Sequence, residues 1–270
     1  MEQQGVCAVT AAAKRKADFF RASAPRYFVY AMMAGVFCGL GMILAYSAGG
    51  ALDFYESTRG LAKIVFGVSF ALSFTLIVYA GSELFTGNVM VLTIGTLNGA
   101  VKPSTTLALM ACVYVGNLCG ATLIAALIGS TGLLDGEMVG GYIVANAAVK
   151  MALPFWQAFA RGVLCNMLVC LATWATAKLK SEPAKMLILA WCVYGFSTSG
   201  FEHSIANMAL FVMAMASPLR TAAISLSGYL HNLIPVTLGN IAGGALLIGL
   251  AYFYIGNLRQ GDEPPAEKIP

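Results

Sequence analysis

Six apolar stretches, near residues 27–48, 64–85, 105–129, 154–177, 186–215 and 232–255, dominate the sequence, and polar residues break two of them. A bilayer-crossing helix needs about 20 mostly apolar residues, so each stretch is long enough to span. The second is interrupted by Ser82, Glu83, Leu84, Phe85, Thr86, Gly87 and Asn88, and the fifth over 197–204, a run that includes Gly200, Glu202 and His203. Non-helical backbone at membrane depth is tolerated only where protein buries it or where it lines a cavity. The pattern predicts an all-α membrane protein with six transmembrane helices, spans two and five broken.

Lipid as solvent also accounts for the composition. Hydrophobic residues make up 59% of the chain and charged residues 10%, with mean hydropathy +0.78. Soluble domains carry roughly 25% charged residues. No basic stripe suited to nucleic acid is present. An intramembrane enzyme would need parts the chain lacks: there is no HExxH, no GxSxG with a suitable base and no paired catalytic aspartates. The seven cysteines form no CxxC pair and read as small packing residues rather than disulfides or metal ligands; no cofactor is expected. Residues 27–256 read as one six-span channel domain. An amphipathic cytoplasmic helix over 1–26, with Val6, Val9, Ala13 and Phe20 on one face, is expected to lie at the membrane surface. The segment 257–270 is expected to be a disordered cytoplasmic tail. Eleven Lys and Arg residues fall on the side of the termini and four on the other, which puts both termini in the cytoplasm.

The two halves of the chain match each other. Gly35 to Cys38 resembles Gly162 to Cys165; Glu83 and Asn88 repeat as Glu202 and Asn207 at a common offset of 119; Val113, Gly116, Asn117 and Gly120 repeat as Val236, Gly239, Asn240 and Gly243. Three spans per half is an odd number, so the second half must be inverted relative to the first. Inverted repeats with broken helices are a transport architecture, and the breaks point to the site. Small-residue packing faces recur in any membrane helix and would explain the Gly-Asn pairs, but not two matched Glu-x4-Asn segments.

Glu83, Glu202, His203, Lys150, Arg161 and Asn166 are the costly polar residues in or near the spans. Glu83 and Glu202 sit beside the breaks, where a carboxylate is expected to accept freed backbone N–H groups. His203 is the one histidine within a span, and packing alone rarely selects an imidazole there, so a solute or proton contact is expected. An anion beside it would favour imidazolium, which could then hand over a proton. Phe70 and Phe74, spaced i,i+4, read as core from spacing alone.

The same segments carry a family resemblance. Gly81 to Asn88 and Gly200 to Met208 resemble the two signatures of the formate/nitrite transporter family, and the likeness covers about residues 5–258. Gly162 to Ala172, His231-Asn232-Leu233 and Val236 to Asn240 are most similar to its nitrite-channel branch. The resemblance implies an aquaporin-like protomer, assembled as a homopentamer in lipid, with one pore per subunit and two apolar constrictions flanking a central histidine. By motif that histidine is His203, and the loop threonine facing it is Thr86. The constriction residues are Phe70, Phe74, Leu84, Phe85, Val169 and Phe196. Lys150 is the outer-vestibule lysine with Asn166 as its partner, and Glu202 and Asn207 complete the pore set. The implied function is a channel or transporter in the bacterial inner membrane for a small monovalent anion: nitrite first, then formate or hydrosulfide. An aquaporin-like pore for neutral solutes is the alternative; the absence of twin Asn-Pro-Ala segments argues against it.

Overall fold

The computed structural model describes residues 2–256, and regular structure among them is helical throughout. The expected tail over 257–270 lies outside the described residues. The chain runs through α1 (Glu2–Ala22), α2 (Ala24–Asp53), α3 (Ala62–Leu76), α4 (Phe85–Leu97), α5 (Pro103–Gly129), α6 (Tyr142–Met151), α7 (Phe155–Lys178), α8 (Glu182–Thr198), α9 (Ser204–Ala216), α10 (Leu226–Ile241) and α11 (Ala251–Gly256). A π-helical turn, Ile77–Gly81, ends α3, and a longer one, Ala242–Leu250, joins α10 to α11. Pro25 and Pro103 lie in the first turns of α2 and α5, where a missing N–H costs nothing.

Among the described residues, five helical runs are long and apolar enough to cross a membrane: Ala24–Asp53, Arg59–Gly81, Pro103–Gly129, Phe155–Lys178 and Leu226–Gly256. The apolar stretch expected as the fifth span is built differently. It consists of α8, 17 residues, and α9, 13 residues, joined by non-helical backbone. The second stretch likewise continues past its break as the 13-residue α4.

Glycines let the long helices touch backbone to backbone. A Cβ at Gly116 would meet the Phe28 carbonyl and the Met32 amide, and one at Gly120 the Met32 carbonyl, so α5 lies directly on α2. In the second half, Gly239 faces the Phe159 carbonyl and the Val163 amide, and Gly243 the Val163 carbonyl, so α10 lies on α7 in the same way. These contacts set the register between the halves. Phe28 corresponds to Phe159 and Met32 to Val163, an offset of 131. The match of Gly35 to Gly162 suggested by the sequence is therefore one helical turn out. Small residues recur every four positions in α2, so composition alone could not separate the two registers.

Both breaks have the same construction. Gly81 (φ +83) and Gly200 (φ +76) turn the chain through the left-handed region, where only glycine is unstrained. A buried asparagine then pins each break to the neighbouring helix. Asn117 donates to the carbonyls of Ala31 and Glu83, both at 2.8 Å, and accepts from the Phe85 amide at 2.9 Å. Asn240 donates to Gly162 O (2.8 Å) and Glu202 O (3.0 Å) and accepts from the Ser204 amide at 2.9 Å. This corrects the role expected for the glutamates. At each break an asparagine side chain takes one freed N–H, that of Phe85 or Ser204, and the carboxylates of Glu83 and Glu202 bind lysine and asparagine instead.

The apolar face of α1 is also used differently from expectation. Val6, Val9, Ala13 and Ala17 are buried, with Ala13 against Gly95 of α4, Val6 against Gly256 of α11, and Gly5 under Trp174 of α7. Its partner is the chain itself rather than the membrane surface.

Candidate functional site

Two cavities enter the helix bundle and meet a small chamber between them. One, ≈ 190 Å³, is lined by Tyr46, Lys63, Lys150, Arg161, Glu202 and His203, with Phe70 and Phe196 at its inner end. The other, ≈ 560 Å³, is lined by Arg15, Lys16, Tyr30, Glu83 and Lys185, with Phe74, Ile77 and Leu84 at its inner end. The chamber, ≈ 20 Å³, is bounded by both sets of inner residues together with Cys38, Ser73, Val169, Val193 and His203. Such a space has room for about one water. Phe70 and Phe196, packed edge to face at 6.1 Å, close it on one side; Phe74, Ile77 and Leu84 close it on the other.

His203 stands on the chamber wall because it is the N-cap of α9. Its Nδ1 accepts from the Ala206 amide at 3.1 Å. Its Nε2 lies 3.0 Å from Thr86 Oγ1, at the start of α4, so the two broken helices meet through this one hydrogen bond. The network assigns the tautomer: with Nδ1 accepting, the neutral ring carries its proton on Nε2 and donates it to Thr86. The ring stacks on Phe196, centroids 5.7 Å apart and planes at 18°.

Each break also carries a buried carboxylate held by a lysine and an asparagine. Glu202 Oε1 accepts from Lys150 Nζ at 2.5 Å, while Oε2 accepts from Asn207 (2.6 Å) and Asn232 (3.3 Å). Glu83 Oε2 accepts from Lys16 Nζ at 2.5 Å and from Asn88 at 2.8 Å. The lysines come from α6 and α1. Each reaches a carboxylate whose exposure is at most 7%, while remaining 22% exposed to its own cavity. Lys63 and Arg161, on the Lys150 side, form no ion pair among the described residues.

Most residues singled out from the sequence converge here: His203, Thr86, Lys150, Glu202 and Asn207 at the break, and Phe70, Phe74, Leu84, Val169 and Phe196 around the chamber. Two sit elsewhere. Phe85 borders none of the three cavities and packs edge-on against Tyr114 at 4.8 Å. Asn166 donates to the carbonyls of Asn240 (2.6 Å) and Thr86 (3.2 Å), so it braces the first turn of α4 instead of pairing with Lys150. Lys16, Cys38, Ser73, Ile77 and Val193 were missed. The 119 offset maps Phe196 onto Ile77 and Phe74 onto Val193, and would have found both.

A search of family models matches residues 3–254 to one described as Formate/nitrite transporter. The chain belongs to the formate/nitrite transporter family. Members of this family are channels and transporters, not enzymes, and the chain is an integral membrane protein of that kind. Among formate/nitrite transporters it is 38% identical to the nitrite transporter NirC of Escherichia coli over 245 residues, 90% of this chain and 87% of the relative. A solved "FNT family ion channel" superposes with TM-score 0.87 at 36% identity, covering 93% of this chain and 98% of that one. A solved pentameric formate channel with formate bound gives TM-score 0.75 at 32% identity, covering 87% and 98%.

Proposed function

We propose that the chain forms a homopentameric inner-membrane channel, each subunit carrying a small monovalent weak-acid anion through its own pore, with nitrite the principal substrate. In this reading the protomer has six spans in two inverted, aquaporin-like halves. α3 with α4 and α8 with α9 are the broken spans, both termini are cytoplasmic, and the Lys150 cavity faces outward. The observation that carries it is the series of cation-bearing cavity, apolar gate, His203–Thr86 chamber, apolar gate and cation-bearing cavity. Identity to a nitrite transporter supports nitrite; formate is the second reading, supported by likeness to a channel that holds formate.

The geometry constrains the chemistry. Moving a small ion into an apolar medium costs of order 20 kcal/mol before relaxation, and walls of Phe, Leu and Val offset little of it. A neutral weak acid avoids most of that cost. The positive cavities gather the anion, and protonation at the gate lets it pass. His203 serves here as a fixed Nε2–H donor. Becoming imidazolium would require Nδ1 to release the cap of α9, so the proton is drawn from the aqueous cavity and not from the ring. This replaces the imidazolium hand-over anticipated from sequence.

Proton-coupled entry makes nitrite uptake acidify the vesicle lumen. Purified protein in proteoliposomes with a lumenal pH dye should show acidification in step with nitrite influx, and a smaller signal with formate. Influx that follows membrane potential without lumenal acidification would contradict the mechanism.

A further inference from the structure

Two polar side chains besides the histidine border the otherwise apolar chamber. His203 has both ring nitrogens engaged, one by the Ala206 amide and one by Thr86. Ser73, 3% exposed, also lines the chamber, and its hydroxyl has no hydrogen-bond partner. It lies against Gly41 of α2, where a Cβ would collide with Oγ. Cys38, one turn before Gly41 and 2% exposed, is free and lines the same space. The register of 131 makes Cys38 the counterpart of Val169, which lines the chamber as well. One half thus presents a thiol where the other presents an apolar group.

Leaving a buried hydroxyl unpaired is destabilising, and each such group needs an explanation. A transient partner supplies one. A neutral weak acid has a carbonyl-like or nitroso oxygen that accepts and an O–H that donates. The serine hydroxyl can answer both, and the thiol adds a weak donor. We propose that Ser73 and Cys38 form the second solute contact in the chamber, and that Cys38 is a modification site reached only by small neutral reagents through the pore. This rests on the reading of the chamber as the permeation path.

Methyl methanethiosulfonate, small and uncharged, is the probe for Cys38. The thiolate attacks the sulfenyl sulfur, an S–S bond forms, methanesulfinate leaves, and the thiol proton goes to buffer. The added methylthio group stays tethered among Phe70, Phe74, Leu84 and Phe196 and should stop wild-type nitrite flux. Cys38→Ala should carry a flux that the reagent no longer reduces. A cationic methanethiosulfonate of similar reactivity should leave wild type unblocked. Ser73→Ala tests the other contact. Removing an unpaired hydroxyl should hold or raise the thermal stability of the oligomer, while nitrite flux falls roughly fivefold, the size of one neutral hydrogen bond. Wild-type flux in Ser73→Ala, or block that persists in Cys38→Ala, would overturn the assignment while leaving the channel reading intact. A wild-type protein with no weak-acid flux would overturn both.

Discussion

Lys150, which the motif match assigns to the outer vestibule with Asn166 as partner, lines the cavity of ≈ 190 Å³. The structure instead joins it to Glu202, which is 1% exposed. Removing one partner of a buried ion pair typically costs 3–5 kcal/mol, because the remaining charge stays buried. Lys150→Arg should therefore keep assembly and much of the flux, whereas Lys150→Glu should lose both, read as oligomer yield in mild detergent and nitrite uptake. Normal thermal stability in Lys150→Glu would show that the pair is dispensable. Lys16 was invisible from sequence because its contact spans 67 residues and α1 has no counterpart motif in α6. Under the proposed function, anion steering is assigned to Lys63 and Arg161, and Arg161→Gln should reduce the salt-sensitive part of uptake from the Lys150 side.

At the level of elements, the two breaks make a matched pair of tests. Gly200 has open space around it, so Gly200→Ala strains the backbone alone, by roughly 1–2 kcal/mol for a left-handed residue. Gly81→Ala carries the same strain and adds a Cβ 2.7 Å from the Tyr30 hydroxyl, so it should lower the detergent unfolding midpoint further. Equal midpoints would mean the break at Gly81 relaxes freely. Asn240→Leu should be worse than either, since it strands the Ser204 amide and two carbonyls, each unpaired buried group costing about 1–3 kcal/mol. The existence of both breaks was legible, because Gly, Ser, Glu and His interrupt otherwise apolar runs. Their mechanism was not. Asn117 and Asn240 reach the breaks from helices 34 and 38 residues away, and nothing in local spacing reveals that. The register of α2 against α7 failed for a related reason: with an offset of 127, Val169 maps to Met42, and only the backbone contacts point to Cys38.

For the whole molecule, the proposed pathway runs once through each chain: two positive cavities, two apolar gates and a chamber that His203 and Thr86 pin between α4 and α9. The membrane class could be read from hydropathy, and the motifs named Phe70, Phe74, Leu84, Val169 and Phe196, which the structure places around the chamber. The continuity of cavity, chamber and cavity could not, because it depends on which faces of eight helices turn inward. The most direct test is nitrite flux through purified protein in proteoliposomes across pH 5 to 8, comparing wild type with His203→Phe and His203→Asn at equal oligomer content. Asparagine can cap α9 and keep a donor near Thr86, whereas phenylalanine can do neither. The account predicts wild-type flux that rises as pH falls, partial flux in His203→Asn and none in His203→Phe. Undiminished flux in His203→Phe, with the wild-type pH profile, would contradict it.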